Sequence, residues 1–160
     1  MAERNKPIAI SEKAPDFTLK DQMGNDFTLS KQKGKRVLLS FHPLAWTDVC
    51  RNQMLSLEAN FQKFAEMYTV PVGISIDSVP SKKAWADDMG LKNLRILADF
   101  WPHGAVSKAY GLFRENAGTS MRANVLVDEK GKVTWVKVYD IPQLPDINEV
   151  LAAVKKLAGE

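Results

Sequence analysis

One cysteine stands in 160 residues, and the two histidines, His42 and His103, have no clustered third ligand beside them. A single thiol excludes a disulfide framework within the chain and a four-thiolate zinc site. Two scattered imidazoles do not make a metal centre, so no metal and no cofactor is expected, and both histidines read as structural or near an interface. No run of about 18 apolar residues occurs, and Met1-Ala2-Glu3-Arg4-Asn5-Lys6-Pro7 lacks the apolar segment of a secretory leader. A membrane partner is not expected, and a reducing, cytoplasmic setting is. Charge of one sign is also scarce: 22 basic residues against 19 acidic leave a net charge of +3. Without a cluster of Lys and Arg interleaved with aromatics, nucleic acid is not expected as a partner.

What is present is an ordinary core-forming composition, 45% hydrophobic and 26% charged, far from the disordered range. The length suits one domain over 1–160. Residues 1–13 are polar and read as a loosely held tail, with 1–7 flexible. Asp16-Phe17-Thr18-Leu19 and Asp26-Phe27-Thr28-Leu29 flank a Gly24-Asn25 turn and predict a β-hairpin. Lys31-Gln32-Lys33-Gly34-Lys35 punctuates the entry to Arg36-Val37-Leu38-Leu39-Ser40-Phe41, an apolar run that reads as a buried strand. Met54, Leu57, Phe61, Phe64, Ala65 and Tyr68 recur at spacings of three and four and predict one amphipathic helix over about 49–68.

Further along, residues 70–77 read as a buried strand with Pro71 at its start. Ser81 is the expected N-cap of a helix over 82–89 that Gly90 stops. A short strand at 95–98, a short helix over 104–110, a hairpin of 123–127 with 132–138 and a C-terminal helix marked by Ile147, Val150, Leu151, Val154 and Leu157 complete the chain. Strands and helices alternate before a closing hairpin. The pattern predicts an α/β fold with a central mixed sheet flanked by helices.

Cys50 falls in the first turn of the helix that follows the apolar strand, where unpaired N–H groups and the positive dipole end favour a thiolate. A thiol of pKa about 8.5 is about 3% thiolate at pH 7, whereas one of pKa about 6 is about 90% thiolate. A helix start supplies only about 0.3–1 kcal/mol of the roughly 2 kcal/mol between them, so a further cation or hydroxyl donor is required. Thr47 can turn its hydroxyl toward the sulfur or a substrate oxygen. Arg51 is adjacent in sequence, but consecutive helical side chains diverge. Asp48 would either cap the helix or, aimed at the sulfur, oppose the thiolate. From spacing alone, inert packing and a reactive thiol both stay open, because free cysteines are among the most buried residues.

Pro43-Leu44-Ala45-Trp46-Thr47-Asp48-Val49-Cys50 fills every fixed position of Pro-x-x-x-Thr/Ser-x-x-Cys. In this motif the chain resembles the peroxiredoxins, the thiol peroxidases of the alkyl hydroperoxide reductase and thiol-specific antioxidant superfamily. Arg122 shortly before a strand ending at Asp128, Ala14-Pro15-Asp16-Phe17-Thr18-Leu19 and Asp99-Phe100-Trp101-Pro102-His103-Gly104 look like further family segments. The resemblance covers residues 8–140. It implies a thioredoxin-like fold and a thiolate that attacks the O–O bond of a hydroperoxide.

Carried over residue by residue, Cys50 is the nucleophile that becomes a sulfenic acid and Thr47 hydrogen-bonds the peroxide. Arg122 holds the thiolate and polarises the oxygens, while Pro43 shields the sulfur from bulk water. Gln53 stands where the family often has Glu, Trp46 replaces a more usual Phe, and Asp48 takes a position that is often Pro or apolar. With no second cysteine, the resemblance is to the one-cysteine type, recycled by an external thiol: a thioredoxin-like protein or a low-molecular-weight thiol. A homodimer is implied on the same ground. The competing classes are a thioredoxin-type disulfide oxidoreductase, which Cys50-Arg51-Asn52-Gln53 does not suit for want of a second Cys, and a noncatalytic interaction module.

Overall fold

A computed structural model describes residues 1–32 and 34–159; Lys33, in the polar stretch before the first core strand, and Glu160 lie outside the described residues. The expected hairpin forms from β1 (Thr18–Lys20) and β2 (Asp26–Thr28), with Leu19 opposite Phe27 and Gly24 turning at φ 80. Then come β3 (Arg36–Phe41), α1 (Asp48–Ala59), α2 (Phe61–Glu66), β4 (Thr69–Ser75), α3 (Val79–Met89), β5 (Arg95–Ala98) and α4 (Ala105–Ala109). The chain closes with β6 (Phe113–Arg114), β7 (Thr119–Ser120), β8 (Arg122–Val127), β9 (Val133–Tyr139) and α5 (Ile147–Ala158).

The central sheet has the order β5-β4-β3-β8-β9. Its first three strands run parallel, and β8 and β9 join antiparallel, so the sheet is mixed as expected and the fold is thioredoxin-like. The alternation of side chains along β3 divides two cores. Val37, Leu39 and Phe41 face one core with Val125, Phe17, Phe27 and Tyr110, under the N-terminal hairpin and α4. Leu38 faces the other with Leu126, Met54, Trp85 and Val154, under α1, α3 and α5. A strand covered on both faces reads as a continuous apolar run, which is why β3 was visible from its residues.

Several expectations change. The helix over 49–68 is two helices, because Asn60 leaves helical geometry at φ −107 and ψ 11 while the apolar spacing carries on through Phe64. α3 begins at Val79 rather than 82; Ser78 is the cap, its hydroxyl accepting the Ser81 N–H, and Pro80 fits the first turn where no N–H is needed. Pro71 lies inside β4, opposite Leu38, one residue before the ladder to β5 starts at Val72.

The segment before the hairpin is not a loose tail from Arg4 onward. Arg4 donates its backbone N–H to the Lys108 carbonyl and its Nε–H to Ala109, Ile8 N–H bonds the Tyr110 carbonyl, and Ser11 N–H bonds Val133. Ile8 is buried in the core. The strap lies so close to Gly111, at φ 70, that a Cβ there would collide with the Lys6 carbonyl. Polarity hid this contact, since main-chain hydrogen bonds leave no trace in composition.

Candidate active site

Ser40 follows Leu38 on the α1 side of β3, and Arg122 and Asn124 lie on the same side of β8. β3 ends at Phe41, His42 and Pro43 follow it, and the turn Leu44-Ala45-Trp46 returns the chain into α1 with Thr47 as N-cap. The turn is held at Ala45, whose N–H bonds Asp77 Oδ2 at 2.9 Å, and at Trp46, whose Nε1–H bonds Ser81 Oγ at 3.3 Å. Trp46 takes a left-handed backbone at φ 72, a conformation that a bulky residue adopts only under such anchoring. Cys50 is the third residue of α1, fully buried.

Arg122, 2% exposed, crosses to Cys50 from the first position of β8. Its Nη1 donates to Cys50 Sγ at 3.4 Å and to Gln53 Oε1 at 2.7 Å, and its Nε donates to the Ile141 carbonyl at 2.9 Å. Gln53 passes the constraint on through Nε2, which donates to Ser40 Oγ at 2.7 Å and to the Phe41 carbonyl at 3.2 Å. No carboxylate pairs with Arg122 among the described residues. A buried guanidinium costs several kcal/mol unless something compensates it. Within this group only the Cys50 sulfur can carry the opposite charge. A reactive thiol gives such a cation a counter-charge, which a cysteine that merely packs does not.

Of the four residues singled out from the sequence, Cys50 and Arg122 are in direct contact, and Pro43 is buried at the end of β3. Thr47 is on the same turn but exposed, and its hydroxyl donates to the Leu44 carbonyl at 2.7 Å rather than to the sulfur. Asp48 is exposed on the outer side of the first turn and does not cap the helix. Arg51 leaves the site, as the divergence of neighbouring helical side chains requires, and pairs with Asp88 at 2.7 Å. Asp128 shapes the hairpin after β8 by accepting the Lys130 and Lys132 N–H groups. Among the described residues no group of three potential metal ligands occurs, and no helix is long and apolar enough to cross a membrane.

Residues 10–136 match the AhpC/TSA family. The chain belongs to that family. It is a peroxiredoxin, a thiol-dependent peroxidase, of thioredoxin-like fold. Among relatives of this AhpC/TSA member, alkyl hydroperoxide reductase E of Mycobacterium tuberculosis is 39% identical over 140 residues, covering 87% of this chain and 91% of that protein. Peroxiredoxin 2 of Picrophilus torridus is 30% identical over 156 residues, covering 94% and 76%. The crystal structure of the reduced 2-Cys peroxiredoxin of Plasmodium vivax superposes with a TM-score of 0.86 at 26% identity, over 96% of this chain and 83% of that one.

One pair in this peroxiredoxin escaped the sequence reading. Lys82 and His42 are both fully buried, with Lys82 Nζ 3.2 Å from His42 Nε2. A signal existed: Lys82 shares the spacing of Trp85, Ala86 and Met89, the buried stripe of α3, so a charged residue occupies a core position.

Proposed function

We propose that Cys50 is the peroxidatic nucleophile of this thiol peroxidase, acting on hydrogen peroxide or organic hydroperoxides. The observation that carries the reading is the buried Arg122 N–H directed at Cys50 Sγ. The thiolate sulfur attacks the terminal peroxide oxygen; the S–O bond forms as the O–O bond breaks, and the departing hydroxide or alkoxide takes up a proton. Charge grows on that departing oxygen, and preorganised donors facing it supply most of the acceleration. Arg122 is one such donor, and rotation of Thr47 away from the Leu44 carbonyl would bring a second. Pro43, buried beside the turn, keeps bulk water from the sulfenic acid.

The sequence holds one cysteine, so the thiol that resolves the sulfenic acid comes from outside these 160 residues. One external thiol forms a mixed disulfide with Cys50 and releases water; a second returns Cys50 to its thiol and leaves as a disulfide. A thioredoxin-like protein or a low-molecular-weight thiol has this chemistry. A reducing compartment, the cytoplasm, suits a thiol that must stay free. A homodimer fits the exposed aromatic side chains of Trp46, Phe100 and Trp101 on the loops that follow β3 and β5.

Stopped-flow mixing of the reduced protein with hydrogen peroxide, followed by mass spectrometry of Cys50, tests the assignment. The expected result is one oxygen added at Cys50 and no peroxide consumption by Cys50→Ser. Unchanged consumption by Cys50→Ser would sink it.

A further inference from the structure

A lysine with no exposed surface and no carboxylate partner among the described residues is an expense that a packed core avoids unless the charge is used. Lys82 reaches inward from α3, one turn before Trp85, into the core that also holds Cys50. Its only hydrogen-bond partner in the described residues is neutral. His42 Nδ1 lies 3.3 Å from the Ser40 carbonyl, which can only accept, so Nδ1 carries the proton and Nε2 accepts from Lys82. The imidazole is locked in place: its ring centroid is 5.5 Å from that of Trp85, and Gly73 of β4 gives it room, since a Cβ there would stand 3.2 Å from His42 Cε1. Its carbonyl accepts the Ser120 hydroxyl at 2.9 Å, two residues before Arg122.

We propose that Lys82, held by His42, is a positioning residue of the peroxidase reaction: a second buried cation that balances the Cys50 thiolate from the α3 side while Arg122 contacts it from β8. The inference rests on Cys50 being the peroxidatic thiol. The charges around Lys82 come from four elements. Asp77 follows β4 and is occupied by the Ala45 N–H and the Ser75 hydroxyl; Asp99 follows β5 and accepts the Val106 and Ser107 N–H groups; Cys50 lies on α1; and Arg122 on β8 acts against a charged His42. Burial pushes Lys82 down to about 7, against the pull of Asp77, Cys50 and Asp99 toward the cation. Burial, with Lys82 next, also holds His42 well below its ordinary value, as a neutral acceptor should be.

Of the three anions, only Cys50 is created and consumed during turnover. When the thiolate becomes a sulfenic acid, the counter-charge is no longer held, and the Lys82 proton is released as the leaving oxygen takes one up. The buried site thereby starts and ends a reaction step with no net change of charge.

The test reads the thiolate without needing turnover. In this chain the ultraviolet absorbance of a thiolate reports Cys50 alone when Cys50→Ser is subtracted. In Lys82→Met the apparent Cys50 pKa is expected to rise by about one unit, a tenfold loss of thiolate below it. In Lys82→Arg, whose charge is permanent, it stays at the wild-type value. The wild-type rate with peroxide should pass through a maximum and fall as Lys82 loses its proton, and Lys82→Arg should lack that fall.

Coupling is reciprocal, so Cys50→Ser, with Lys82 intact, should lower the Lys82 pKa measured by NMR of its ε position. That arm stands even if Lys82→Met does not fold. An unmoved Lys82 pKa in Cys50→Ser, or an unmoved Cys50 pKa in folded Lys82→Met, overturns the proposal. Coupled titrations without any peroxide consumption would leave the pairing intact and refute the peroxidase reading instead.

Discussion

Arg122→Lys separates the charge of the site from its geometry. The guanidinium serves three acceptors at once, with Nε on the Ile141 carbonyl and Nη1 on Gln53 Oε1 and Cys50 Sγ. Lysine keeps a unit charge but concentrates it in one tetrahedral group on a flexible stem, and cannot span the three. Losing one hydrogen bond to a charged sulfur removes about 1.5–3 kcal/mol of thiolate stabilisation. At 1.36 kcal/mol per unit, the Cys50 pKa should rise by about 1–2 units. The transition state suffers separately, because loss of a donor placed where charge develops slows catalysis about 100-fold to 1,000-fold. The lysine charge offsets part of this, so a rate with hydrogen peroxide about 100-fold below wild type is expected, with Arg122→Met slower still. Stopped-flow kinetics, run alongside the thiolate titration, measure both quantities. Gln53 Oε1 also loses its donor, at about 1–3 kcal/mol of stability, so urea unfolding must confirm that the variant is folded at the assay temperature. A folded Arg122→Lys as fast as wild type would refute the claim that the planar fork, rather than positive charge alone, runs the site.

Gly73→Ala would drive a Cβ into Met54 Sδ and against His42 Cε1; about 1–3 kcal/mol of lost stability is expected from such overpacking, read as a lower urea midpoint. Gly111→Ala meets the Lys6 carbonyl, which is main chain and cannot turn aside, so the N-terminal strap should lift and the Ile8 amide should exchange with deuterium far faster than in wild type; unchanged protection would contradict the packing described. Lys82 ties stability to pH: its folded value of about 7 lies below the ordinary 10.5, so between these the unfolded chain binds more protons and stability rises with pH. Lys82→Met should lose that rise, and urea midpoints at neutral and alkaline pH will show whether it does.

Periodicity made much of the architecture legible. β3, both hairpins and α5 bury one face or two in a regular pattern, and those patterns depend on local sequence alone. The break at Asn60 was hidden because Phe61 and Phe64 keep the spacing that a continuous helix would have. The cap at Ser78 lost out to Ser81 because both are serines near Pro80, and only backbone direction distinguishes them. The small β6–β7 ladder pairs two residues a side, too short for any period to register. At the site, spacing marked Cys50 and the family resemblance marked Arg122, but neither showed that Thr47 would face the Leu44 carbonyl or that Gln53 would bind Arg122 and Ser40 together. The first is set within the turn that follows β3, and the second depends on the register of β3 against β8, a contact between segments far apart in the chain. Lys82 is hidden because lysines on helices are usually solvated, and only its place in the stripe of Trp85, Ala86 and Met89 marks it as a core position.

With Cys50 in its proposed role, its separation from Arg122, 72 residues along the chain, governs when the protein becomes chemically competent during synthesis. As the ribosome releases β3 and α1, the cysteine has neither its guanidinium nor the Ile141 carbonyl that aims it. Reactivity toward peroxide therefore arises only with the antiparallel docking of β8 onto β3, a late, long-range pairing. A nascent or half-unfolded chain would carry a thiol without its Arg122 donor, so the reactivity of Cys50 would report that the sheet is complete.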